Sequence, residues 1–126
     1  MLRILMIGFL IAHGLVHVTL RVTPKPEQKE NRPNPVHSWL LGDQKALTVT
    51  LAIAAAAVLV TAGIALWAHA AWWTTAAVAG LAMSFALIVL VFHRWFVFIE
   101  LVNAGLIASL IWLEWPSTLA METLRS

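Results

Sequence analysis

The segment Ala71–Leu113 reads "AWWTTAAVAGLAMSFALIVLVFHRWFVFIELVNAGLIASLIWL" and is almost continuously apolar. As a single α-helix it would extend about 65 Å, roughly twice the thickness of the hydrocarbon core of a bilayer. The chain must therefore reverse its direction within this segment. The polar interruption near the middle is His93–Arg94. This pattern predicts one membrane span over about residues 72–92 and another over about residues 96–113.

Two further apolar runs precede this segment, over about residues 4–20 and 46–68. Each is close to the length of about 20 residues that crosses a bilayer as a helix. A polar, proline-rich loop over residues 21–45 separates the two runs, because proline disfavours regular helix. The sequence therefore predicts four membrane spans.

The polar connections carry three local predictions. The residues "HSWLLG", His37–Gly42, suggest a short helical turn on the membrane surface. Asp43 is a candidate N-cap for the second span. His69 and Ala70 form the turn between the second and third spans.

The composition agrees with a membrane protein. Of the 126 residues, 61% are hydrophobic and 11% are charged, whereas soluble domains average about 25% charged residues. We therefore predict an all-α fold, an integral membrane four-helix bundle that forms one domain over residues 1–126. The chain has no cysteine, which excludes disulfides, thiolate metal sites and covalent c-type haem. The net charge of +2 gives no reason to expect a nucleic-acid partner.

The basic residues predict the orientation in the membrane. Six Lys and Arg residues lie in the first and third loops, and two lie in the N-terminus and the C-terminal tail. Positive residues stay on the cytoplasmic side, so both termini are expected outside, in a bacterial cytoplasmic membrane. Tryptophans near the ends of the spans fit anchoring at the two membrane interfaces.

Small residues recur at intervals of four along three spans. Such rows let helix backbones approach closely in a membrane, so each predicts a helix contact within the bundle. The rows are Ala52 and Ala56, then Ala76, Gly80 and Ser84, and finally Ala104 and Ala108.

Polar side chains interrupt the spans at one level, near the cytoplasmic leaflet. His13 and His17 are one helical turn apart and share a face of the first span. Reversal of the chain before the fourth span brings Glu100 to the same side of the membrane. Ionisable residues within membrane helices usually face the bundle and have a partner. The candidate site residues are His13, His17, His93, Glu100 and Asn103.

This cluster has a structural interpretation and several functional ones. In the structural interpretation, Glu100 forms a hydrogen bond or salt bridge to Arg94, His13 or His17. In a metal site, His13 and His17 would bind one ion, such as zinc or iron. In a haem or chlorin site, the imidazoles would be axial ligands. In a quinone or lipid-headgroup pocket, histidine and glutamate would form hydrogen bonds and carry protons. The sequence leaves these alternatives open.

The motif "HGLVH" in the first span and Asn103 within "FIELVNAGLI" resemble small bacterial four-helix membrane proteins that are loosely grouped as DoxX-like. The resemblance implies a four-helix membrane fold. It also implies a link to quinone-dependent oxidoreductases, of which some DoxX-like proteins are membrane subunits.

Two functional hypotheses follow. The first is an accessory or structural subunit of a larger membrane bioenergetic complex, respiratory or photosynthetic, without catalytic activity of its own. Its expected partners are the lipid bilayer and either other membrane subunits or further copies of the chain. The alternative is a membrane oxidoreductase or a cofactor-binding or quinone-binding protein that uses the histidine and glutamate cluster.

Overall fold

A computed structural model describes residues 1–22, 37–92 and 97–112. These residues form four α-helices and one two-residue antiparallel β pair, β1 (His37–Ser38) with β2 (Gly42–Asp43). Three of the helices in these ranges are long and apolar enough to cross a membrane. The helices are α1 (Leu2–Val22), α2 (Lys45–Trp67), α3 (Trp73–Leu90) and the shorter, apolar α4 (Val97–Trp112).

The helix boundaries lie within two residues of the four predicted spans. The predicted helical turn at His37–Gly42 is wrong, because β1 and β2 pair there around a turn at residues 39–41. The predicted N-cap at Asp43 is also wrong. Asp43 belongs to β2, and Gln44 caps α2 without a side-chain hydrogen bond.

Helix α2 packs against both α1 and α3 at positions where glycine removes a side chain. A Cβ atom at Gly14 would lie 3.0 Å from the carbonyl oxygen of Ala56. A Cβ atom at Gly80 would lie 2.7 Å from Cγ of Leu59. These contacts place α2 in the centre of the packing, with close helix crossings of the kind that small residues permit in membranes.

Helix α4 packs on one side only. Leu110 joins a core cluster that includes Leu10, Leu59 and Leu81 from the other three helices. Within Val97–Trp112, the buried side chains are Asn103 and Leu110. Ala104 is exposed, so the contact predicted from the small-residue row on the fourth span is wrong at this position.

The C-terminal end of α2 is capped by its own backbone and by a side chain from the start of α1. His69 adopts a left-handed conformation with φ of 59°, and the Ala70 N–H donates to the Ala65 carbonyl at 2.9 Å. This is the geometry of a Schellman C-cap. Arg3 Nη2 donates to the carbonyl oxygens of Leu66 and Trp67 at 2.7 and 2.6 Å. The cation therefore sits at the negative end of the helix dipole.

Candidate functional site

Ser84 on α3 is the centre of a polar cluster that joins three helices. Its Oγ atom lies 2.8 Å from Nε2 of His17 and 3.3 Å from Nε2 of His13, both on α1. From the other side, Asn103 Nδ2 on α4 donates to Ser84 Oγ at 2.9 Å. Because the serine side chain is small, longer polar side chains from α1 and α4 can reach the same point.

The hydrogen-bonding capacity of a hydroxyl group determines how this cluster is arranged. A serine hydroxyl has one donor hydrogen and two acceptor lone pairs. The amide of Asn103 uses one lone pair. The hydroxyl hydrogen can then donate to one imidazole Nε2, and the second lone pair can accept an N–H from the other. The two histidines consequently differ: one carries a hydrogen on Nε2 and the other does not.

The cluster lies in the interior of the helix bundle. Ser84 and Asn103 are fully buried and His17 is 4% exposed. The His13 ring stacks on Phe9 with ring centroids 5.2 Å apart, and it meets the His17 ring edge-on at the same distance. Apolar and aromatic contacts therefore hold the two rings in fixed positions beside Ser84.

Three buried acceptor atoms near the cluster have no hydrogen-bond partner among the described residues. They are both carboxyl oxygens of Glu100 and Oδ1 of Asn103, whose amide also interacts with the His13 ring but outside ordinary hydrogen-bond geometry. Glu100 lies three residues before Asn103 on α4, so the two side chains are neighbours on one helix face. A buried polar group without a partner costs about 1–3 kcal/mol, and an ionised carboxylate costs more.

The structure brings together three of the residues predicted for the site. His13, His17 and Asn103 meet at Ser84. Glu100 lies beside Asn103, but the predicted hydrogen bond to His13 or His17 is not formed. His93 and Arg94 lie outside the described residues.

Ser84 itself is missed as a site residue. The sequence places it only in the row of small residues on the third span. A single hydroxyl group in an apolar stretch is only a weak indication of a polar contact. The rotation of α3 that turns this hydroxyl toward α1 and α4 is determined by helix packing, which the sequence does not reveal.

The described part of the chain contains no group of three or more His, Cys, Asp or Glu side chains placed to hold a metal ion. The Nε2 atoms of His13 and His17 both lie within hydrogen-bond distance of Ser84. A metal bound by this pair would have to replace those contacts and recruit further ligands. The metal site at His13 and His17 stays a prediction.

Comparisons with family models, with curated proteins and with solved structures find no match to this chain. The DoxX-like resemblance therefore stays a prediction, and the functional argument rests on the cluster itself.

Proposed function

We propose that this chain is an integral four-helix protein of a bacterial cytoplasmic membrane with both termini outside. Three helices of sufficient length and apolar character support insertion. The excess of Lys and Arg in the first and third loops supports the orientation. Exposed Trp67 and Trp112, at the ends of α2 and α4, suit one membrane interface, and exposed Trp39 suits the other.

Within that membrane, the function we propose is the binding of a lipid-soluble ligand of the quinone class at the polar cluster. The observation that supports this proposal is the set of three buried acceptors on Glu100 and Asn103 that have no hydrogen-bond donor among the described residues. Polar groups in membrane helices are costly and usually mark a functional site. A ligand with an apolar body and a hydroxyl-bearing head would donate a hydrogen bond to one of them without bringing bulk water into the bundle.

The test is ligand binding by the full chain in phosphatidylcholine nanodiscs. Ubiquinone-1 or its reduced form, ubiquinol-1, is titrated while tryptophan fluorescence is recorded. We expect saturable binding that Asn103→Leu weakens at least tenfold and that Ser109→Ala leaves unchanged. Ser109 is a matched control because its hydroxyl donates locally to the Leu106 carbonyl at 3.1 Å.

Two results would overturn the quinone assignment. One is the absence of saturable binding of either form to protein whose circular dichroism shows an intact fold. The other is a visible haem or chlorin band, or a stoichiometric metal, in protein purified from its native membrane. A chromophore lost in His17→Ala would assign the cluster to ligation instead.

An accessory-subunit role is the second candidate, favoured by the outward face of α4. Phe98, Leu101 and Trp112 are 75%, 66% and 82% exposed, so this helix offers a long apolar face for a helix of another subunit. We propose that a neighbouring subunit of a bioenergetic assembly packs there.

A photo-crosslinking residue at Leu101 tests this role in native membranes. We expect one product of defined mass, which a crosslinker at Ile53 on α2 does not give. Ile53 is a matched control because it is also apolar and 53% exposed. Crosslinking to lipid alone at both positions would contradict the subunit role.

A further inference from the structure

We infer that the site selects the reduced, hydroxyl-bearing form of its ligand, a quinol, over the oxidised quinone. This inference rests on the proposed function and concerns the same cluster. The buried atoms without a partner in the described residues are Glu100 Oε1, Glu100 Oε2 and Asn103 Oδ1. Asn103 Oδ1 is an acceptor, and both oxygens of Glu100 are acceptors when the carboxyl group is ionised, which is the form this inference concerns.

The chemistry of the two ligand forms differs at this point. A quinone carbonyl offers only lone pairs, so it would place an acceptor against the acceptors of the site. A quinol hydroxyl offers a hydrogen, which can be donated to a carboxylate or amide oxygen. Sites built to bond a hydroxyl reject analogues that lack it, because the buried partners are then left unpaired.

The arrangement on α4 places the acceptors of both residues near one point, where the single hydrogen of a hydroxyl group can be donated to either residue. Side chains three positions apart on a helix have Cβ atoms about 5–6 Å apart, which suits a donor that lies between them. Asn103 is fully buried, and its amide nitrogen is held by Ser84. Its Oδ1 is therefore held in a fixed orientation instead of turning freely.

We propose that the ligand approaches from the lipid side. On α4, Glu100 is flanked by exposed side chains that include Phe98, Leu101 and Ala104. Glu100 is thus partly exposed at the edge of the bundle, although both of its carboxyl oxygens are buried. Asn103 lies one turn further along and is fully buried. A ligand whose ring stays among apolar side chains can extend its hydroxyl inward past Glu100 to Asn103.

The experiment compares the two forms on one protein. The full chain in phosphatidylcholine nanodiscs is titrated separately with ubiquinol-1, under reducing conditions, and with ubiquinone-1. We expect the quinol to bind roughly 10- to 100-fold more tightly, as for one or two hydrogen bonds to a charged or buried acceptor. A tenfold preference also raises the apparent midpoint potential of the bound two-electron couple by about 30 mV.

Glu100→Gln identifies the selecting group. The substitution preserves the size of the side chain but replaces one acceptor oxygen with an N–H donor, which can bond a quinone carbonyl. We expect the preference for the quinol to fall at least tenfold in this variant. Ser109→Ala should retain the wild-type ratio.

The outcomes separate this inference from the proposed function. Binding of neither form overturns the proposed function. Equal binding of both forms, or tighter binding of the quinone, overturns the inference and leaves the function standing. An unchanged ratio in folded Glu100→Gln protein also overturns the inference. Should that variant not be recovered folded, the wild-type ratio alone decides.

Discussion

Replacing Gly80 by alanine tests the close approach of α2 and α3, on which the position of the polar cluster depends. An added Cβ atom would lie 2.7 and 2.8 Å from Cγ and Cδ2 of Leu59, and 3.2 Å from its backbone nitrogen. Favourable carbon contacts have separations of about 3.5–4.0 Å. Leu59 is fully buried, so it has little room to move away.

The magnitude follows from two opposing effects. Overpacking a closely packed interior costs about 1–3 kcal/mol, whereas alanine in a helix is favoured over glycine by about 0.5–1 kcal/mol. We therefore expect Gly80→Ala to lower the free energy of unfolding by up to about 2.5 kcal/mol. A Cβ atom at Gly105 would have no other atom within 4 Å. Gly105→Ala should therefore raise the free energy of unfolding by about 0.5–1 kcal/mol.

The two variants form a matched pair, because the helix preference enters both and cancels in their difference. Unfolding of the full chain in mild detergent, by titration with sodium dodecyl sulfate and followed by circular dichroism, gives that difference directly. A Leu59→Ala background removes the two nearest side-chain atoms, so Gly80→Ala should cost less there, as a double-mutant cycle measures. Equal stability of Gly80→Ala and Gly105→Ala would refute the close crossing of α2 and α3.

Three further predictions concern other contacts and use the same unfolding assay. Gly63→Ala should destabilise the fold less than Gly80→Ala. The atom nearest to the new Cβ is Cγ1 of Ile11 at 2.8 Å, and this side chain can move because it is only half-buried. A larger loss of stability in Gly63→Ala than in Gly80→Ala would contradict this prediction. Arg3→Ala should cost about 1 kcal/mol by removing charged hydrogen bonds to the end of α2, and an unchanged midpoint would show that those bonds contribute nothing. Ser84→Ala should cost about 1–3 kcal/mol by leaving buried partners unsatisfied, whereas Ser109→Ala should be near neutral; similar losses in both would argue against Ser84 as the centre of the cluster.

The helices could be predicted from the sequence because the length of an apolar run is a strong signal. Bilayer thickness sets the run length, and the polar interruption at His93–Arg94 divides the last long run. The contacts of α4 could not be predicted in the same way. Small residues are so frequent in this chain that their spacing does not distinguish a packed face from an exposed one, as exposed Ala104 shows.

The prediction of a helical turn between α1 and α2 failed for a local reason. The apolar residues of "HSWLLG" suggested a helical turn, but Ser38 Oγ accepts hydrogen bonds from the N–H groups of Leu40 and Leu41 at 3.3 and 3.2 Å. Such side-chain bonds compete with helix formation. Gly42 then adopts φ of 73°, which favours glycine, and the chain pairs as β2.

Ser84 shows why the site was only partly predictable. Hydroxyl residues in apolar helices commonly bond to a carbonyl of the preceding turn. Thr61 and Ser109 do so here, at 2.7 Å to Ala57 and 3.1 Å to Leu106. Ser84 instead bonds across to two other helices. The sequence around it carries no feature that separates these two behaviours.

The uneven packing of the bundle connects the polar cluster to the position of α4. Helices α1, α2 and α3 are held by close glycine crossings, whereas α4 buries only Asn103 and Leu110 within Val97–Trp112. Asn103 is thus a main attachment of α4, and its Oδ1 is an acceptor with no hydrogen-bond partner in the described ranges. A ligand that donates to this acceptor binds the packed form of α4 more tightly than a detached one, and by mass action it stabilises the packed form. If the proposed ligand binds at the cluster, its binding and the docking of the fourth helix would therefore be coupled through the Asn103 amide group.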